Sequence, residues 1–381
     1  MDKNVAIVGY RMQSAPDLVT SRERLTFELT RGLFDDLGIE RTDVDTTIID
    51  SNDFMDGRTI SNVFLDPPAG AYMRDESKVE MDATNAVIYA CMRILSGQYN
   101  TALIVSLALT GYQASPYLYI EYTLNPTYER QVKLLNEINA AAFQAHSYLE
   151  KFGYSEELLD DIAAQALANA ALNPNQARRI SGVTRDKVAA SAMYYEPLRE
   201  LHCYPPTDGG CAVLLASEEK AKDLTDKPVW IKGMGMSTET YYLGERKLFK
   251  SRSAAEAAQR AYELAGVKKP EKDIDIAEIS ALFAHQEPLL AEALGLLDEG
   301  KADKAYKDGK TAIDGKLPLN PSGGALGGHP VSVTGMMRMV EAARQLRGEA
   351  GDNQVKKAEL AVVHGQDGVC AQQNAVLVLG I

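Results

Sequence analysis

Residues 320–335 read NPSGGALGGHPVSVTG. Five glycines surround one histidine, His329, and Pro330 follows it directly. Three uses of such a loop compete. A phosphate cradle presents glycine amides and usually follows them with a lysine and a Ser or Thr. GGALGG has no lysine behind it, and its glycines lack the GxGxxG spacing after a strand. A plain glycine bend has no use for a histidine. The third use is a mount for a catalytic imidazole. Glycines let backbone approach a substrate closely, and His329 stands just ahead of a helix led by Thr334 and Gly335, beside amides able to stabilise an oxyanion.

Outward from this loop the chain alternates between strand and helix. VAIVGY, VDTTIIDSN and TALIVSLAL read as buried strands. SRERLTFELTRGLFDDLGI has helical periodicity, and a helix beginning within residues 81–85 runs to the stop at Gly97. CAVLLASEEKAKDL then closes a first half as strand and helix. A second half restarts with KPVWIKGMGMST as a strand, SAAEAAQRAYELAGV as a helix and IDIAEISALF as a strand. ALFAHQEPLLAEALGL reads as a helix, the glycine loop follows, then the helix TGMMRMVEAARQLRG and the closing strands AELAVVH and NAVLVLG. This order predicts an α/β fold with covered sheets, divided into halves at 1–228 and 229–381. Residues of about 112–205, first tyrosine-rich and then helical, interrupt the first half and are expected to form a cap over it.

Composition narrows the function. With 381 residues, 45% of them hydrophobic and 24% charged, the chain can form two core-bearing units. A formal charge of −13 argues against nucleic acid or an anionic membrane as partner. No window approaches the roughly 18 apolar residues of a membrane helix, and MDKNVAIVGY has no signal-peptide pattern; the expectation is a cytoplasmic protein. Cys91, Cys203, Cys211 and Cys370 lack paired short spacing, which excludes a zinc ribbon or a CxxC redox motif and gives no metal site.

The loop, written NPSGG…GGHP…TG, resembles the histidine motif of the thiolase superfamily, in particular its sterol-carrier-protein-x and archaeal types. LNPNQARR, EPLRELHCYPPTDGGCAVLLASEE, TYYLGER, the IDIAEIS strand and LRGEAG resemble that group in the same order, so the likeness spans essentially the whole chain. The resemblance implies a duplicated, five-layered αβαβα thiolase-like fold with an inserted helical and tyrosine-rich cap. It also implies a dimer and a substrate class of acyl-CoA thioesters, with coenzyme A arriving as part of the substrate and no permanently bound cofactor.

What the family does with its motifs meets departures here. Its nucleophile is a cysteine at the start of the helix that in this chain runs toward Cys91 and Gly97. Alignment places Glu80 in that slot, or with other gapping Asp82 or Ala83; none is a cysteine. Glu80 or Asp82 then serves either as a general base or as a helix cap. The family's second motif falls on Ser280-Ala281-Leu282-Phe283, where Ser280 can still donate a hydrogen bond; His285 follows. The third resembles His364-Gly365-Gln366-Asp367-Gly368. By this resemblance His364 is a catalytic candidate and Gly368 supplies an amide to the thioester oxyanion. Ser322, Gly323 and Gly328 of the opening loop are candidate substrate contacts, and Ser332 stands where the family normally has glycine.

Three functions remain open on these residues. One is an acyl-CoA carbon–carbon lyase or condensing enzyme of aldol or Claisen type that needs no cysteine acyl-enzyme. His329 would hold the thioester enolate, and Glu80, Asp82 or His364 would move the proton. Another is a non-catalytic subunit that binds acyl-CoA or pairs with a thiolase-like or zinc-ribbon/OB-fold partner. The last is a conventional thiolase using Cys91 or Cys370.

Overall fold

The computed structural model describes residues 4–109, 122, 124–132 and 135–381. Most of the tyrosine-rich run expected in the cap therefore lies outside the described residues. The first half contributes strands β1 (Val5–Ala15), β2 (Thr46–Asp50), β3 (Asp75–Val79), β4 (Thr101–Ala108) and β5 (Asp208–Ser217). The second contributes β6 (Val229–Thr238), β7 (Ile276–Ile279), β8 (Leu360–Asp367) and β9 (Gln373–Gly380).

The two halves repeat one topology. In the first, β5 runs antiparallel to both β1 and β4, and β2 lies parallel to β4. In the second, β9 runs antiparallel to both β6 and β8, and β7 lies parallel to β8. Even β3, parallel to β2, has its counterpart in a single parallel bridge between Ala277 and Leu319. Two residue pairs, Ala6–Trp230 and Ile7–Val229, join the halves into one nine-stranded sheet among the described residues. The edge strand β3, DESKV, carries no apolar alternation and escapes a reading by pattern. Its side chains are only half covered, and hydrogen bonding to β2 alone defines it.

Helices α1 (Arg22–Leu37), α2 (Thr84–Leu95), α3 (Glu137–Phe152), α4 (Glu157–Leu172), α5 (Arg252–Ala265), α6 (Gln286–Ala293) and α7 (Thr334–Arg347) complete the layers. The α1 helix is set by Ser21, whose side chain accepts from the Arg24 amide, and by Gly38 at its end with φ 64°. Leu25, Leu29 and Leu33 of its buried stripe cover the outer face of the first half-sheet. Helices α2 and α7 fill the space between the inner faces of the two half-sheets. Met336, Met339 and Val340 are fully buried there, each worth roughly 1.5–3 kcal/mol. Helices α5 and α6 cover the outer face of the second half. The layering is αβαβα, as the resemblance implied.

Residues 109–207 form a long insertion between β4 and β5, where the second half has only residues 368–372. Its described helices pack on the second half. Tyr148, Leu158, Ile162 and Leu167 of α3 and α4 share a core with the outer layer of the second half. Polar groups complete the docking: Asn169 Nδ2 donates to Asn320 O, and Asn173 Nδ2 and Gln176 Nε2 both donate to Ser322 O. The insertion thus braces the glycine loop from behind. Helix α6 begins later than its apolar run suggests, because Phe283 is held in a bridge to Cys203.

One buried pair in this layer carries a pH dependence. Tyr148 OH and Gly300 N donate to Glu292 at 3.0 and 3.1 Å. Burial pushes the Glu292 carboxyl up to about 7 against those bonds. Its folded value lies above its unfolded one, so its stabilising contribution is present at low pH and is lost as pH rises through about 7. Glu292→Gln keeps an oxygen for both donors and removes the titration. In urea unfolding, its midpoint should fall less than the parent's between about pH 5 and about pH 8; an identical fall sinks the assignment.

Candidate active site

Helices α2 and α7 start side by side, and one carboxylate joins them. Asp82 Oδ1 accepts from Thr84 N at 3.0 Å and Thr84 Oγ1 at 2.5 Å, while Oδ2 accepts from Gly335 N at 2.8 Å. Two first-turn amides thereby find a partner, and the positive ends of two helix dipoles meet a negative charge. Gly335 and Gly365 have to be glycines because the Asp82 carboxylate and Thr84 hydroxyl fill the places their Cβ atoms would take. Burial raises the Asp82 carboxyl to about 7; its hydrogen bonds pull the other way, and the charge of Asp367 adds to the rise. Met81, directly before it, has φ 126°, a backbone conformation that L residues rarely adopt, at the lip of the cleft.

A cleft of about 60 Å³, open at its mouth, lies against these helix starts. His329 lines it, 7% exposed, with Nδ1 2.7 Å from Thr334 Oγ1; among the described residues none bonds Nε2. Burial, aided by the charge of Arg338, lowers the imidazole pKa to about 3, so the ring is neutral at physiological pH. Arg338 is itself held behind the loop by Glu278 at 3.1 Å and by Ser322 Oγ. Tyr204 packs edge-on to His329 with ring centroids 4.4 Å apart, and its hydroxyl donates to Glu137. Burial raises the Glu137 carboxyl to about 7, and Asp367 pushes in the same direction.

Asp367 closes the far wall. Its Oδ1 accepts from Gly368 N at 2.6 Å, and no described residue bonds Oδ2. Burial raises this carboxyl too. Behind it stands Asp50, fully buried, with Oδ2 accepting from Ser106 Oγ at 2.6 Å and Oδ1 without a partner. Gln366 lines the cleft as well and donates to Gln286 Oε1 at 3.0 Å. Among the described residues no group of three or more His, Cys, Asp or Glu side chains is placed to hold a metal ion.

Of the residues singled out by sequence, His329, Asp82, Ser332 and Gly368 come together on this cleft. The others do not line it. Glu80 is 49% exposed and paired with Lys78 at 2.7 Å. His364 is fully buried with Nε2 2.7 Å from Asn374 Oδ1, and Asn374 Nδ2 in turn donates to Ser253 of α5. Ser280 is buried with its hydroxyl unpartnered. His285 bonds Gln144 at 3.0 Å. Ser322 serves Glu278 through both its amide and its hydroxyl. Gly323, at φ 99°, packs against Ala170 of α4, and Gly328 lies against Ala177 and Gln176. All four cysteines are buried and none lines the cleft; burial pushes Cys91 and Cys370 up to about 12, where a thiolate is rare at neutral pH. Tyr204, Glu137 and Asp367 are the site residues that the sequence reading passed over.

The chain is 30% identical over 376 residues to an acetyl-CoA acetyltransferase of Methanothermobacter thermautotrophicus, covering 96% of this chain and 97% of that protein. It belongs to the thiolase superfamily. The family described as thiolase C-terminal domain-like matches residues 235–381 of this thiolase-superfamily chain. Sterol carrier protein 2 of Oryctolagus cuniculus is 35% identical over 224 residues, which is 57% of this chain but only 40% of that longer relative. Among solved structures, one titled Ltp2-ChsH2(DUF35) aldolase superposes with a TM-score of 0.84 at 23% identity, over 99% of this chain and 97% of that one, and so shares the fold. No helix among the described residues is long and apolar enough to cross a membrane. This is a thiolase-fold protein related to acyl-CoA enzymes.

Proposed function

We propose that the chain cleaves or forms a carbon–carbon bond next to an acyl-CoA thioester by aldol-type chemistry, without a cysteine acyl-enzyme. The observation that carries this reading is the pairing, on one cleft, of the neutral His329 with its open Nε2 and Asp367 with its open Oδ2. In the cleavage direction Asp367, ionised, takes the proton of a 3-hydroxyl group. The α–β carbon bond breaks, the hydroxyl carbon becomes a carbonyl, and the bonding pair passes to the thioester as an enolate. His329, donating from Nε2, holds the enolate oxygen. Asp367 then returns the proton to the α carbon, which leaves a shorter acyl-CoA and an aldehyde or ketone. Tyr204 and Glu137 keep His329 oriented.

Incubation with a 3-hydroxyacyl-CoA, with both products followed by mass spectrometry, tests the reading. The pH profile adds a second check. A base that must be ionised gives kcat/KM rising with pH through one ionisation above the ordinary carboxylate range, with no limb near about 6.5 from His329. A single histidine-like limb that persists in Asp367→Asn contradicts it.

The alternative is a subunit that binds acyl-CoA within a complex without turning it over. One observation favours it: Asp82 and Asp367 occupy the amides of Thr84, Gly335 and Gly368 that a thioester oxyanion would use. Tight acyl-CoA binding without products, alone or with a zinc-ribbon/OB-fold partner added, decides for this reading.

A further inference from the structure

The charged side chains that line the cleft are Asp82, Glu137 and Asp367, all acidic, and among the described residues no lysine or arginine lines it. Cations close to the cleft bond elsewhere, two of them to carboxylates. Lys78 pairs with Asp53 and Glu80. Arg338 pairs with Glu278. Arg246 donates to the carbonyls of Val369 and Cys370, each at 2.6 Å. His329 is neutral, so it supplies no positive charge either. An acyl chain ending in a carboxylate would have to shed its water here with no lysine or arginine among the described lining residues, a desolvation cost to which each ionised acid of the three adds repulsion. A hydroxylated chain meets the reverse situation. Its O–H can donate to Asp367 Oδ2, Asn52 and Ser332 offer neutral polar contacts, and Met55, Leu282 and Val331 cover its carbons.

We infer that this site selects uncharged, hydroxylated acyl groups, and that Glu137 and Asp367 are specificity residues that reject acyl chains carrying a terminal carboxylate. The inference rests on the acyl-CoA reading above. Rejection of this kind is built from a repulsive element as much as from attractive contacts.

Calorimetric titration of the full chain with three thioesters of equal acyl length separates the possibilities: 3-hydroxybutyryl-CoA, butyryl-CoA and succinyl-CoA. The 3-hydroxy compound should bind tightest, and succinyl-CoA at least about tenfold more weakly than butyryl-CoA. In Glu137→Gln combined with Asp367→Asn, the gap between butyryl- and succinyl-CoA should close to within about threefold. Circular dichroism checks that the double variant folds; if it does not, each single variant should narrow the gap in the same direction. Succinyl-CoA bound by the parent as tightly as 3-hydroxybutyryl-CoA overturns the inference and leaves the acyl-CoA reading standing. A gap that is unchanged in the folded variants also overturns it. If no thioester binds better than free coenzyme A, the acyl-CoA reading falls and takes the inference with it.

Discussion

Asp367→Asn is expected to lower kcat/KM for a 3-hydroxyacyl-CoA by roughly 10²- to 10⁴-fold, the usual range for loss of a positioned general base. The asparagine keeps an oxygen for the Gly368 amide, so the turn at residue 368 should survive and the loss should fall on kcat rather than KM. His329→Ala should cost roughly 10²- to 10³-fold, the scale of one oxyanion donor. The contrast with Glu80→Gln is the discriminating part. Glu80 is half exposed and engaged with Lys78 at the surface, and such a pair contributes little, so turnover should stay within about threefold of the parent. If Asp367→Asn turns over like the parent while Glu80→Gln is inactive, the assignment of the proton-moving residue made from this cleft is wrong.

Gly335→Ala is the second substitution with a large expected effect, this time on stability. A methyl group at 335 would overlap the Asp82 carboxylate and the Thr84 hydroxyl, and these cannot retreat without breaking the amide contacts that start helices α2 and α7. Overpacking at such a point should cost about 3 kcal/mol in urea unfolding. The cause can be isolated by a cycle. In an Asp82→Ala background one of the two obstructing groups is gone, so the same substitution should cost at least about 1 kcal/mol less, a coupling typical of residues in contact. Strict additivity would mean that Asp82 is not the group against which Gly335 packs.

Much of the architecture was readable from periodicity because most strands are buried runs and most helices carry one apolar stripe. VAIVGY, TALIVSLAL and NAVLVLG are runs that only a covered sheet can use, and the same order of elements in both halves foreshadowed the repeated topology. Where the pattern failed, the cause was local. β3 is an edge strand of charged residues held by hydrogen bonds to one neighbour. The inserted helices carry apolar faces that pack into the core of the second half. Asn169 of α4, with Asn173 and Gln176 just beyond it, bonds to the backbone of the glycine loop.

Read alone, the sequence identifies a duplicated α/β chain of thiolase type with a histidine on a glycine-rich loop ahead of a helix. Only the tertiary structure decided which of the flanking groups share the cleft. Successive residues of a strand point to opposite faces of a sheet. Pairing with β7 and β9 sets β8 so that Gly365 abuts Asp82, while His364 turns to Asn374 on the other side. At the end of β8, Gln366 and Asp367 both reach the cleft. Glu137 and Tyr204, distant in sequence from His329, arrive there on an insertion whose position depends on packing against the second half. Neither the register of one strand nor the docking of an inserted helix is written in any single motif; both follow from contacts made across the fold.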